Sequence, residues 1–294
     1  MARHWAVVDT NYLCHRAFHA LGELSYEGVA TAVVFGVFND ILTIKQEVNP
    51  DSFVFCFDHG PSLRKKVYPE YKANRNGNGN GKKNSSEPDE ESMAARESLH
   101  EQIRLLETDY LPNAGFKNVQ SAAGYEADDL IATCCQLIVD RKDKATIVGA
   151  DHDLWQLLSK RVRMWNPNKR QFQTRKWFHN QWGLEPAAWV DTKAIAGCSS
   201  DNIKGIPRVG EKTAAKFLQG ILPEHHKTYA AIVSGTKTWN ANLPLVRLPY
   251  EGTPTLPLVE DAPTEEDWNA VRARLGIDDN KSARKSRPAR KTDA

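Results

Sequence analysis

No stretch of roughly 18 or more consecutive apolar residues occurs in this 294-residue sequence, so nothing in it reads as a membrane span. The opening residues, MARHWAVVDTNYL, lack the apolar core of a secretory signal, and the expectation is a cytoplasmic protein. Cysteine is scarce: Cys14, Cys56, Cys134, Cys135 and Cys198 form an odd set with no CxxC pair. That excludes a disulfide framework and a cysteine-paired zinc module, and implies free thiols in a reducing compartment. Charge of one sign is also lacking. The formal net charge is +2, so any nucleic-acid footprint must come from local patches. There is no internal repeat. What remains is 40% hydrophobic, enough for one large domain or two small ones with a core.

Short apolar runs alternate with helical patterns. His4–Val8 ends in Asp9 and precedes a helical stretch from Asn11 to Leu21; Val29–Val48 is helical and stops before Asn49-Pro50. Ser52–Phe57 ends in Asp58, and Ala145–Gly149 leads into Asp151 and Asp153, with helical residues Leu154–Leu158 next. This alternation predicts a parallel sheet covered on both faces, in which ligands bind beyond the carboxyl ends of the strands. GYEADDLIATCCQLIV, residues 124–139, reads as a helix with Glu126, Asp128 and Asp129 in its first turn. Alone, such acids are helix caps. Together with Asp9, Asp58, Asp151 and Asp153 they would converge on one edge. Carboxylates crowded that way repel unless cations hold them. An all-oxygen set points to magnesium or manganese rather than zinc.

Residues 64–75, RKKVYPEYKANR, are basic with two tyrosines. Tyr71, Lys72 and Arg75 suit phosphate and base contacts, and equally suit an ordinary basic surface. Residues 76–92 are low-complexity and polar and cannot pack a core; Met93 to about Leu111 is again helical. Further on, helical residues 187–196 precede GIPRVG and EKTAAKFL. A glycine-bounded turn between two helices can hold a phosphate on its backbone N–H groups, and Gly205, Gly210, Lys204, Arg208, Lys212 and Thr213 favour that reading over mere packing. From Gly220 on, tryptophans 239 and 268 and five prolines suggest irregular structure packed on the body. Thr264–Leu275 reads as a capped helix, and Lys281–Lys291 as a basic, unstructured tail with weak nucleic-acid affinity.

Five pieces, VVDTNYLCHRAFHA (8–20), FDHGPSLRKKVYPEYKANR (57–75), GYEADDLIAT (124–133), GADHDLWQLL (149–158) and GCSSDNIKGIPRVGEKTA (197–214), together resemble the 5′-nuclease family in order and spacing. That family includes phage 5′-3′ exonucleases, flap endonucleases and the 5′-nuclease domain of bacterial DNA polymerase I. The resemblance covers about residues 4–220. It implies an α/β fold with a PIN-like, mostly parallel sheet flanked by helices. Residues 1–185 would form the nuclease core with an arch segment at 60–110, residues 186–280 a helix-hairpin-helix region, and 281–294 a basic tail. It implies a two-metal centre for Mg2+ or Mn2+: Asp9, Asp58, Glu126 and Asp128 at the first ion, Asp129, Asp151, Asp153 and Asp201 at the second. Lys72, Arg75 and Asp128 would be catalytic, and Tyr71 a stacking neighbour of the DNA. Backbone carbonyls of Ile195, Ala196, Lys204, Ile206 and Val209 would hold K+ in the hairpin. The partner is DNA with a free 5′ end (flap, nick or gap). The chain would act as a monomer beside a separate polymerase in replication and repair. One departure stands out: Cys198 takes the place of a family aspartate, so the second metal is expected to be weak or completed by water. Two rivals remain, an RNA-cleaving nuclease of the PIN type and a DNA-structure-binding protein with impaired catalysis.

Overall fold

The computed structural model describes residues 2–22, 24–76 and 90–277. Six strands, β1 (His4–Asp9), β2 (Ser52–Cys56), β3 (Val119–Gln120), β4 (Lys144–Val148), β5 (Val162–Asn166) and β6 (Gln171–Gln173), form one sheet in the order β3-β2-β1-β4-β5-β6. Every neighbouring pair is parallel except the β5/β6 hairpin. The three strands expected from the apolar runs are the three at the centre.

Both faces of β1 are buried, which explains its unbroken apolar run. Ala6 and Val8 face the cluster built with helices α1 (Thr10–Leu21) and α2 (Ala32–Glu47). Trp5 and Val7 face the opposite cluster, under helix α4 (Ala127–Asp140). Helix α3 (Glu90–Leu105) runs on into a π-helical turn, Leu106–Tyr110, and seats Leu99 and Leu106 in the first cluster. Its buried Gln102 accepts the Val33 N–H through Oε1 at 2.9 Å. The expected helix at 29–48 begins later than its apolar pattern, because Val29–Ala30 pairs with Ser25–Tyr26 in a small hairpin. The helical stretch expected at Leu154–Leu158 is a 3-10 helix, His152–Leu157, capped by an extended Leu158, rather than a full α-helix.

The C-terminal third is tied into this body. Helix α5 (Trp189–Ala196) leads into a two-stranded ribbon, Gly197–Cys198 against Ile203–Lys204, followed by helix α6 (Glu211–Leu218). Helix α7 (Thr236–Val246) lies along α5, where Trp239 Nε1 donates to Asp191 at 3.0 Å. Beyond it the chain crosses the sheet edge: Asp261 accepts N–H bonds from Phe53 (2.6 Å) and Lys117 (3.0 Å). The irregular packing expected after Gly220 is thus partly right. Thr264 caps a final helix, Glu265–Arg274, as its sequence indicates. The central part of the Asn/Gly-rich segment (77–89) and the basic tail (281–294) lie outside the described residues. No helix among those described is long and apolar enough to cross a membrane.

Candidate metal centre

Strand register sets the acids side by side. Asp9 ends β1 and stands opposite Cys56 of β2, two residues before Asp58. On its other side Val8 pairs with Val148 of β4, and the chain then passes through Gly149 to Asp151. Gly149 permits the close approach: a Cβ there would come to 3.3 Å from Asp9 Cβ. Asp9 caps α1, accepting the Tyr12 N–H at 3.0 Å. Asp58 accepts the Ala127 N–H at 2.7 Å and so fixes the start of α4 against the sheet edge. Asp128 follows in the first turn of that helix.

These carboxylates sense one another. Burial, with Asp58 and Asp151 adding to it, pushes Asp9 up to about 7 against the opposing Tyr12 N–H and Lys72. Burial, then Asp151 and Asp9, hold Asp128 well above the ordinary carboxylate range. Like charges in a low-dielectric edge resist ionising together, and a divalent cation is their natural complement.

A second group adjoins the first. Asp151 caps the 3-10 helix, accepting the Asp153 N–H at 2.8 Å. Burial and then Asp151 raise Asp153 to about 6, while Lys193 opposes the rise. Ligand atoms of Asp153, Cys198 and Asp201 all lie within 4.8 Å of one another, an arrangement that could hold a metal ion. Lys193 of α5 reaches into this group, with Nζ 2.9 Å from Asp153 Oδ1 and 3.4 Å from Glu211 Oε1. The sequence did hint at it: Lys193 is the lone basic residue in the α5 stretch, WVDTKAIA, followed directly by apolar Ala194 and Ile195, and its burial requires an acidic partner.

Glu126 joins the centre through cations. Its Oε1 pairs with Lys72 Nζ, and its Oε2 accepts from Tyr71 OH (2.8 Å) and Arg64 Nη1 (3.1 Å). Lys72 Nζ also stands 4.0 Å from Asp201 Oδ1, and its N–H donates to the Asp201 carbonyl at 2.9 Å. Lys72 therefore bridges the two groups, with a left-handed φ of 53° that its backbone adopts at some cost.

Asp129 is a correction. Expected at the second metal, it is fully buried on the far side of the helix start, and both oxygens accept from Arg64 at 2.7 Å. The Tyr250 N–H (2.8 Å) and the Glu126 N–H (3.2 Å) complete its shell. A carboxylate so satisfied has no place for a cation. Arg64, unremarked within its basic run, also donates to the Leu245 carbonyl (2.9 Å) and lies 4.8 Å from the Tyr250 ring centre. It locks the C-terminal segment behind the acids. Tyr71 is the other correction: only 2% exposed, in a cluster with Val190, Ala194 and Ile203, it cannot stack on a base and instead holds Glu126. Arg75 lies in the 3-10 turn Ala73–Asn76, and its side chain is outside the described residues.

In the ribbon between α5 and α6, backbones meet closely. A Cβ on Gly205 would come to 2.1 Å from the Ala196 carbonyl. The Ile195 carbonyl accepts the Ile206 N–H at 2.8 Å, the Ile206 carbonyl that of Val209 at 3.1 Å, and the Lys204 carbonyl Asn242 Nδ2 at 3.0 Å. Lys212 and Gly210 are exposed at the start of α6, and the Thr213 N–H bonds the Gly210 carbonyl.

The donors fit divalent ions unequally: oxygen alone at Asp9, Asp58 and Asp128, oxygen with sulfur at Asp153, Asp201 and Cys198. Known proteins share this fold and match much of this sequence. T5 5′-exonuclease, solved with bound zinc, superposes with a TM-score of 0.72 over 93% of this chain and 98% of that one, at 20% identity. The thermostable DNA polymerase I of Thermus thermophilus is 33% identical over 215 residues, 72% of this chain but 23% of the polymerase. A 5′-3′ exonuclease of Mycoplasmopsis pulmonis is 31% identical over 214 residues, 72% of this chain and 65% of that protein. The chain thus spans under a quarter of the polymerase it matches. Residues 4–183 match the model of the 5′-3′ exonuclease N-terminal, resolvase-like domain, and the chain belongs to that family.

Proposed function

We propose that this chain is a metal-dependent 5′-3′ exonuclease and flap endonuclease that hydrolyses DNA phosphodiesters in replication and repair. The observation that carries the reading is the position of Asp151, which follows β4 through Gly149 on the side of Asp9 and accepts the Asp153 N–H at 2.8 Å, and whose charge bears on Asp9 and Asp128 as well as on Asp153. A carboxylate shared between two acidic groups suits a site for two cations. Divalent ions, Mg2+ or Mn2+ by preference, would supply an activated water and neutralise the charge developing on the phosphate. The chain's own groups do the rest. Asp9, Asp58 and Asp128, with Glu126 beside Lys72, would hold the first position and Asp153 and Asp201 the second, with Asp151, first expected at the second ion alone, standing between the two. Lys72, held beside both by Glu126, is placed to steady a phosphate as charge grows on it, with Arg75 as its neighbour in sequence.

Duplex DNA would be held away from the chemistry, at the ribbon between α5 and α6, read as a helix-hairpin-helix. Gly205, Gly210, Lys212 and Thr213 would meet phosphates there, and K+ would sit at the carbonyls of Ile195, Ala196, Lys204, Ile206 and Val209. A monomer acting beside a separate polymerase is the simplest assembly.

The test is cleavage of 5′-labelled DNA carrying a flap, a nick or a gap, beside the matching RNA flap, across a magnesium titration. Release of 5′-phosphate products from DNA in preference to RNA is the expected result. A preference for RNA would replace the reading with a PIN-type ribonuclease. Flap binding without turnover in either metal would replace it with a DNA-structure-binding protein.

A further inference from the structure

The second acidic group contains a sulfur atom within reach of its carboxylates. Cys14, Cys56, Cys134 and Cys135 are packed in the two clusters flanking the sheet. Cys198 is packed too, in the small cluster with Tyr71, Val190 and Ile203, but its Sγ also lies near two carboxylates, those of Asp153 and Asp201, and 3.0 Å from Ser200 Oγ. Two chain segments bring these donors together: the 3-10 helix after β4 carries Asp153, and the ribbon carries Cys198 on its first strand and Asp201 in its turn.

We propose that Cys198 is a metal ligand, and that the Asp153–Cys198–Asp201 position takes a thiophilic divalent ion in preference to magnesium. Zinc-class ions bind sulfur at about 2.3 Å and oxygen at about 2.0–2.2 Å in a tetrahedral array, so two donors on one ion stand about 3.3–3.7 Å apart. Donors within 4.8 Å of one another would close by at most about 1.5 Å on binding one ion. A thiolate is a soft ligand, poor for magnesium and good for cobalt, zinc or cadmium. The position already draws positive charge, since the Lys193 ammonium, 8% exposed, lies 2.9 Å from Asp153 Oδ1. An incoming ion would share Asp153 with it, and the thiol proton would leave as the metal–sulfur bond forms. The two positions of the centre would then differ in kind, a hard ion among Asp9, Asp58 and Asp128 and a softer one at Cys198. That these ions act together on a phosphodiester depends on the proposed nuclease reading; the sulfur ligand does not.

The test is titration of the metal-free, full-length protein with Co2+, followed by near-ultraviolet absorption. A sulfur-to-cobalt charge-transfer band that saturates with one ion, and is lost in Cys198→Ser, is expected. In Cys198→Asp the band should be absent, and magnesium should displace cobalt at about tenfold or more lower concentration, the size of change that altering one group of a metal site produces. Cobalt binding by the wild type, registered by calorimetry, with no band would overturn the proposal, as would a band persisting in Cys198→Ser. The wild-type result stands whether or not the variants fold. Flap cleavage is scored separately: cleavage without a band contradicts the sulfur ligand alone, and a band without cleavage contradicts the nuclease reading alone.

Discussion

Asp128 and Asp129 are adjacent, chemically identical, and opposite in role. Both belong to the first turn of one helix, where a turn of roughly 100° per residue sends them to different faces without saying which of the two meets the acidic edge. What decides is Arg64, 65 positions away, which claims Asp129 with two hydrogen bonds. Breaking a buried pair leaves an uncompensated charge, at a cost of about 3–5 kcal/mol. Asp129→Asn should therefore lower stability toward that extent while leaving the metal-binding stoichiometry intact, as chemical denaturation and calorimetric titration would reveal. Asp128→Asn should do the reverse. It relieves repulsion among crowded carboxylates, so the metal-free variant should melt no lower than the wild type, and it should lose most of the thermal shift that divalent ions confer. If the two variants exchange these behaviours, the assignment of the residues is wrong. Tyr71 carries the same lesson. Its basic neighbours suggest a nucleic-acid face, but burial turns it into a holder of Glu126.

At the scale of elements, legibility follows length and contiguity. The central strands announce themselves because both faces are buried and every residue in the run must be apolar. Strand β3, Val119–Gln120, is too short to stand out, and the hairpin of Val162–Asn166 with Gln171–Gln173 mixes polar residues into its partly exposed edge. The ribbon after α5 was visible only as glycines and basic residues. Its geometry separates two of those glycines. Gly205 presses on the Ala196 carbonyl, so Gly205→Ala should disrupt the ribbon and lower the melting temperature measurably. Gly210 has nothing within 4 Å of where a Cβ would stand, and its φ is negative. Gly210→Ala should change stability by no more than about 0.5 kcal/mol. A drop in duplex affinity for Gly210→Ala at unchanged stability would place a phosphate against that backbone; unchanged affinity would move the contact elsewhere.

For the whole molecule, the acidic edge links stability to pH and metal. Asp9 keeps its proton up to about 7 in the folded chain, against an ordinary 3.8. Between those values the folded state binds more protons than the unfolded one, so this group's contribution is fully present below the lower value and is lost as pH rises through the upper one. The comparison that isolates it is wild type against Asp9→Asn, both metal-free: the variant should gain in relative melting temperature as pH rises from about 4 to about 7. A constant difference across that range would mean that Asp9 ionises normally. The C-terminal third, sequence-poor in motifs, closes the centre from behind through Leu245, Arg247 and Tyr250, contacts that only the folded chain brings to Arg64 and Asp129.

The central claim is that Asp151 joins two cation positions into one hydrolytic centre. Its most direct test is the single-turnover cleavage rate of a 5′-flap duplex in magnesium, wild type against Asp151→Asn, with flap affinity measured alongside. The account predicts rapid release of the flap by the wild type, and a folded variant that still binds the flap but cleaves it slower by a factor on the order of a thousand, the scale of losing an electrostatic element essential to the transition state. Cleavage by Asp151→Asn at the wild-type rate would contradict it.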